Sequence, residues 1–410
     1  MGSSVYAVRG RVVLPDRILT DGVVVVAGDA IAWVGESTDA RVAGFGQEVL
    51  DAEAPSDDRL ILPGLVDVHC HGGGAQSFPD STSKDQALTA VMEHRQWGTT
   101  SLVASLVTAS PMVLRERAEM LADLADAGQI AGIHFEGPFI AQGHCGAQDP
   151  RHIQSPNPAL TRELLIASRG HAVSMTVAPE KPYTMGPGGV AETLVDGGAV
   201  ASFGHTDTNA QRMRQALREI RETIARSPMP RCAHATVTHL FNGMAPMHHR
   251  DPGPVPEILA DAAGGGVIVE IIADGVHVSP ELVRNVYELV GREQIVFVTD
   301  AMAAAGVADG AYVLGGQEVE VSDGVARLGR TGAIAGGTAH LIDVVRTAHA
   351  AGIPLVDAVY MASVQGARIL GNDQVGRIGE GYRADLVVVT PDLEPMRVIF
   401  RGDDVVGGEA

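Results

Sequence analysis

The chain has 410 residues, 45% of them hydrophobic and 20% charged, enough for a large core and one or two domains. Its formal net charge of −20 argues against nucleic acid or an anionic membrane surface as the main partner, but not against a small anionic molecule held by local arginines. Cys70, Cys145 and Cys232 are too few and too scattered for a disulfide framework, which points to a reducing cytoplasm. The opening Met1-Gly-Ser-Ser-Val-Tyr lacks the charged-then-apolar pattern of a signal peptide, and Glu270 breaks the apolar run at 267–273, so no membrane span is expected.

Residues 5–61 read as short strands. The runs 5–13, 22–27 and 30–34 are β-branched, with Gly28-Asp29 as a two-residue hairpin turn. Eight apolar runs follow, near 65–71, 99–107, 130–137, 172–178, 199–205, 235–241, 266–274 and 294–300. They alternate with segments of helical periodicity such as 85–97, 111–127, 209–226 and 280–291. Strands alternating with helices imply a parallel sheet, and eight repeats imply an α/β fold closed as a (β/α)8, TIM-like barrel. A Gly-rich, strand-like insert is expected at about 308–334, after the eighth strand. The far end returns to β pattern at 376–379, 384–389 and 397–402. Both termini are therefore expected to build one small β-sandwich domain (1–62 with 365–410) beside a barrel catalytic domain (63–364).

In such a barrel the functional site forms at the carboxyl ends of the strands. The first run ends in His69-Cys70-His71, whose two imidazoles at i and i+2 share one face of a strand. The third supplies His134 and Glu136, the fifth His205, the sixth His239 and Asn242, and the eighth Asp300; the seventh leads to His277. Singly, each has an ordinary explanation: a lone strand-end histidine is more often a hydrogen-bonded scaffold residue, and Asp300 could cap a helix. Their placement at one rim is what those explanations cover poorly. Imidazole plus carboxylate with an open position is the ligand set of a hydrolytic zinc site and also accommodates iron or manganese. Such a metal lowers the pKa of bound water from about 15.7 towards about 7, and a nearby carboxylate can take and return the proton.

The run Pro63-Gly-Leu-Val-Asp-Val-His-Cys-His-Gly72 resembles the signature of the amidohydrolase superfamily. Glu136-Gly-Pro-Phe, Ala178-Pro-Glu, Gly204-His-Thr, Thr238-His-Leu-Phe-Asn, His249-Arg-Asp-Pro-Gly, Ala273-Asp-Gly-Val-His and Thr299-Asp-Ala resemble, within it, the N-acetylglucosamine-6-phosphate deacetylase family, in order from about residue 8 to 402. The resemblance implies one divalent metal on Glu136, His205 and His239. A second would sit on His69 and His71, with Glu136 bridging and Asp300 nearby; zinc is the first choice, with iron, manganese or cobalt admissible. It implies that Asp300 acts as general base and then general acid in deacetylation of an amino-sugar 6-phosphate, a step of amino-sugar catabolism and cell-wall sugar recycling.

For the substrate the resemblance implies Asn242, Gly243 and Arg250, with His249 adjacent, on the phosphate; His277 on sugar hydroxyls; and the turn containing Ile334 and Ala335 over the acetyl group. It also implies a homodimer in which Arg250 reaches the neighbouring site. Two positions depart from the family pattern. Gln148 stands where many relatives have histidine, and can still donate a hydrogen bond to substrate; Gly243 stands where alanine is common. Cys145, beside His144, is either a substrate-touching loop thiol or incidental. Cys70 should face the core, and His134 is a partner of the metal ligands or a core residue. No role is expected for His94, His152, His248, His340 or His349.

The same chemistry on the N-acetylgalactosamine epimer is not separated by any residue. A cyclic-amide hydrolase is disfavoured, because the only lysines, Lys84 and Lys181, lie outside the apolar strands where a metal-bridging carbamylated lysine would be needed. A non-catalytic scaffold is disfavoured by the intact ligand set.

Overall fold

The computed structural model describes residues 5–40, 44–45 and 58–405. Eight strands lie side by side in chain order: Leu65–Cys70, Thr99–Leu106, Gly132–Glu136, Ala172–Val177, Val200–Phe203, Ala235–Val237, Val267–Ile271 and Ile295–Phe297. Every neighbouring pair is parallel, as strand–helix alternation requires. The ring closes just beyond the eighth strand. Asp300 N donates to His69 O at 2.9 Å, His71 N donates to Ala301 O at 2.7 Å, and Thr299 Oγ1 donates to Asp67 Oδ2 at 2.6 Å.

Several strands stop short of the lengths the apolar pattern suggested, and the reason bears on function. The fifth, sixth and eighth end at Phe203, Val237 and Phe297, not at 205, 241 and 300. Immediately beyond them His205, His239 and Asp300 adopt φ of +46°, +29° and +47°. A non-glycine residue rarely takes this conformation, and doing so lifts each side chain out of the ladder and over the barrel mouth.

The helices begin where the sequence supplies caps. Ser83, Ser110, Asn157, Asn209 and Ser279 each accept a first-turn backbone N–H. The helix Ala210–Arg226 buries Met213, Ala216, Leu217, Ile220 and Ile224, a helical stripe set against the sheet. Beneath the barrel mouth a belt of side-chain hydrogen bonds joins the second to fifth strands and Thr238, just past the sixth. Ser105 Oγ meets His134 Nδ1 at 3.0 Å, His134 Nε2 meets Thr176 Oγ1 at 2.9 Å, and Thr238 Oγ1 meets Thr176 at 2.8 Å and Ser202 at 2.6 Å.

The insert is an antiparallel meander of Gly310–Leu314, Gln317–Ser322 and Val325–Leu328. The terminal strands form one seven-stranded sheet, in the order 403–404, 395–400, 386–389, 60–63, 5–13, 18–27, 30–36. The expected sandwich is thus made by one sheet curling on itself. Ile31 N donates to Tyr382 O at 2.8 Å, and Ala384 N donates to Asp29 O at 2.8 Å, so the edge at 30–36 meets the chain leading into 386–389. Val8, Val24, Val26, Ile61, Leu386 and Ile399 fill the fold's interior. Among the described residues, no helix is long and apolar enough to cross a membrane.

Candidate metal and active site

Two groups of ligand atoms converge at the barrel mouth: His69, His71 and Asp300, and Glu136, His205 and His239. Within the first, His69 Nε2 and His71 Nε2 are 3.1 Å apart, and Asp300 Oδ1 lies 3.4 Å from His69 Nε2 and 3.2 Å from His71 Nε2. Within the second, His205 Nε2 and His239 Nε2 are 3.0 Å apart, and Glu136 Oε1 lies 3.0 and 2.9 Å from them. Glu136 Oε2 sits 3.2 Å from His71 Nε2, so this one carboxylate spans both groups.

The donor chemistry fits a cation. Three imidazoles have Nδ1 committed elsewhere: His69 to Glu270 Oε2 at 3.0 Å, His71 to Ser105 O at 3.2 Å and His205 to His144 O at 2.7 Å. A proton on Nδ1 leaves the Nε2 lone pair facing inward, so lone pairs and carboxylate oxygens crowd one another. A divalent ion would relieve that crowding, and Glu136, His205 and His239 form a three-ligand set able to hold one.

The electrostatics agree. Burial would lower the pKa of His69, but the charges of Asp300 and Glu136 and the bond to Glu270 push it up to about 10. His71 goes the same way, to about 9, through hydrogen bonds to Asp300 and Glu136 that outweigh burial. Burial would raise Asp300, but the charge of His69 and the His71 hydrogen bond hold it well below the usual carboxylate range. The carboxylates thus favour positive charge at this place, the sign that a bound cation would supply.

A cavity of about 260 Å³ opens over both groups. Gln148, Asn242, Gly243, His277 and Ile334, all anticipated from the sequence, line it together with His71, Glu136, His205, His239 and Asp300. His277 is held by Asp274, whose Oδ2 lies 2.7 Å from its Nδ1. Gly243 has φ +60°, and a Cβ there would lie 2.8 Å from His205 Nδ1, so at this position glycine lets the ligand ring approach the turn.

Other expected residues fall elsewhere. Ala335 is buried behind the wall, its N bonded to Ala326 O at 3.0 Å, while Ala333, Ile334 and Gly336 face the cavity. His249 and Arg250 lie on an exposed stretch and bond each other at 2.8 Å; the described walls do not include them. Cys145 is half-buried beside the wall residue Gly146. His134 packs its ring edge-on against His69, centroids 4.5 Å apart, and supports that ligand by contact. Cys70 is buried with its Sγ 3.3 Å from His94 Nε2, as expected of a core thiol.

Glu270 and Leu314 are among the participants that sequence reasoning missed. Glu270 anchors His69, although its only visible mark was a carboxylate inside an apolar strand. Leu314, from the meander, reaches the cavity wall, and no local pattern signals that.

Residues 60–405 match the Amidohydrolase family, and the chain belongs to it. It is similar to an enzyme from Lysinibacillus sphaericus named N-acetylglucosamine-6-phosphate deacetylase, 30% identical over 366 residues (88% of this chain and 89% of that one). A protein of Escherichia coli O157:H7 named N-acetylgalactosamine-6-phosphate deacetylase is 30% identical over 352 residues, 84% of this chain and 88% of that one. A solved structure of a mutant N-acetyl-D-glucosamine-6-phosphate deacetylase from Mycobacterium smegmatis, in complex with N-acetyl-D-glucosamine-6-phosphate, superposes with a TM-score of 0.85 at 36% identity, covering 98% of this chain and 100% of that one.

Proposed function

We propose that the chain hydrolyses the acetamide of N-acetyl-D-glucosamine 6-phosphate, giving D-glucosamine 6-phosphate and acetate, in the cytoplasm and as a homodimer. The observation that carries this reading is the pair of ligand groups spanned by Glu136 on the floor of a monosaccharide-sized cavity, with Asp300 in the first group. The likeness to named deacetylases over nearly the whole chain supplies the substrate class. The galactosamine epimer is the second reading, supported by the likeness to the E. coli O157:H7 protein.

Glu136, His205 and His239 would hold one divalent ion, with His69, His71 and Asp300 as the place for a second; the metal supplies Lewis acidity that makes water nucleophilic at neutral pH and polarises the amide carbonyl. Asp300 accepts the proton of the attacking water. As the C–O bond forms and the C–N bond breaks, it delivers that proton to the departing amine. Its depressed pKa keeps it charged at neutral pH, as a base must be. His277, oriented by Asp274, faces the sugar hydroxyls, and Asn242 with the main chain of Gly243 binds the phosphate end. The exposed Arg250 would complete the phosphate site of the partner subunit. Leu314 and Ile334 shield the acetyl group from bulk water.

The test is acetate release from the 6-phosphates of both N-acetyl sugars, with and without chelator. Release that chelator abolishes and Zn²⁺, Fe²⁺, Mn²⁺ or Co²⁺ restores is expected; no release with any of them removes the reading.

A further inference from the structure

Glu270 lies in the strand Val267–Ile271, fully buried, with Val269 and Ile271 on either side. A carboxylate in such a place persists only with specific partners. Its Oε2 accepts from His69 Nδ1 at 3.0 Å and lies 3.3 Å from the main-chain N of His239, while its main-chain O accepts from Leu240 N at 2.8 Å. One residue of the seventh strand therefore holds a side chain from the first and the main chain of the sixth. It grips the sixth at the point where His239 takes φ +29°.

We propose that Glu270 is a positioning residue that couples the two ligand groups: it fixes His69 with its proton on Nδ1 and its lone pair on Nε2, and it pins the turn that aims His239 at Glu136. The inference rests on the metal reading above and adds to it a shared anchor. Since His239 Nδ1 has no partner among the described residues, the main-chain bond to Glu270 is a principal constraint on that ligand's direction. His69 has its ring held instead. The same oxygen sets the ring of one ligand and the backbone of another, so a change in either group is felt by the other through Glu270.

The experiment compares wild type, Glu270→Gln and Glu270→Ala as metal-free full-length protein titrated with Co²⁺. Affinity is read by competition with a chromophoric chelator, geometry by the visible absorption of the ion, and stability by melting of the metal-free forms. Glu270→Gln keeps an oxygen for both N–H groups and is expected to stay within about 10-fold of wild type. Glu270→Ala is expected to lose roughly 10–100-fold in affinity and to shift the Co²⁺ spectrum. Wild-type affinity and spectrum in Glu270→Ala would overturn the inference. So would equal losses in both variants that track a fall in metal-free melting temperature, since that is mere destabilisation. Failure of wild type to take up Co²⁺ would remove the metal reading itself, and this inference with it.

Discussion

Gln148 donates its side-chain amide to Glu136 Oε2 and accepts the Thr108 N–H on its own Oε1 at 2.7 Å. The sequence suggested a residue that touches substrate. In the structure it lines the cavity and also clamps the carboxylate that spans the two ligand groups. Gln148→Ala should therefore loosen Glu136 and lower metal affinity about 10-fold, in the lower part of the range for lost outer partners of a metal ligand. Gln148→Glu, setting carboxylate against carboxylate, should be worse. Metal content after dialysis against a fixed chelator concentration checks both; equal retention in all three proteins would return Gln148 to a purely substrate-facing role.

In the proposed reaction Asp300, which lines the cavity, moves the proton. Asp300→Asn removes the base but keeps the shape, and turnover should fall by about 10²–10⁴-fold. KM should change little and the ion at Glu136, His205 and His239 should remain. Steady-state kinetics with metal analysis decides; near wild-type kcat would take Asp300 out of the reaction.

Arg250 gives a prediction that depends on assembly. It stands on an exposed stretch outside the cavity walls, so one subunit alone gives it no substrate to touch. If it serves a partner's site, Arg250→Ala should raise KM for the 6-phosphate about 10-fold or more, with little effect on the unphosphorylated sugar, because a guanidinium reads phosphate through charge and paired N–H donors. Kinetics on both sugars, beside the mass in solution by light scattering, tests it. A monomer with unchanged KM would exclude the shared site.

His94 predicts how stability responds to acid. Burial, with the nearby charge of His340, lowers its pKa from 6.5 to about 4, even though its Nε2 lies 2.8 Å from Gly72 O. Between these values the unfolded chain binds a proton that the folded one refuses. Its contribution is therefore present above about pH 6.5 and lost as pH falls towards 4, a change of roughly 3 kcal/mol. In His94→Gln the melting temperature should fall less steeply over this window than in wild type. Parallel curves would show that His94 does not carry the acid sensitivity.

Much of the architecture was legible because its causes are local. The Gly28-Asp29 turn links strands Ile18–Ala27 and Ala30–Glu36 as its residue types require. The eight apolar runs mark the barrel. What escaped was set by distance in the chain. The overshoot of the fifth, sixth and eighth strands arose because His205, His239 and Asp300 leave the ladder at positive φ, which no hydrophobic pattern records. Glu270 was visible only as an interruption of an apolar run, and its meaning depends on a ring brought in from 201 residues away. The curled terminal sheet likewise depends on contacts between residues 29–31 and 381–384.

The strand Leu60–Pro63 pairs with Leu386–Val389, and one residue later Gly64 N donates to Asp385 O at 2.9 Å before the chain enters Leu65–Cys70 and the first two histidines. The lead-in to His69 and His71 is thus secured by a segment that leaves the ribosome long after it. During synthesis the brace that fixes the strand of His69 and His71 arrives more than 300 residues after the two histidines. Nascent chains stalled before residue 386 would present a finished set of site side chains on an unsecured strand.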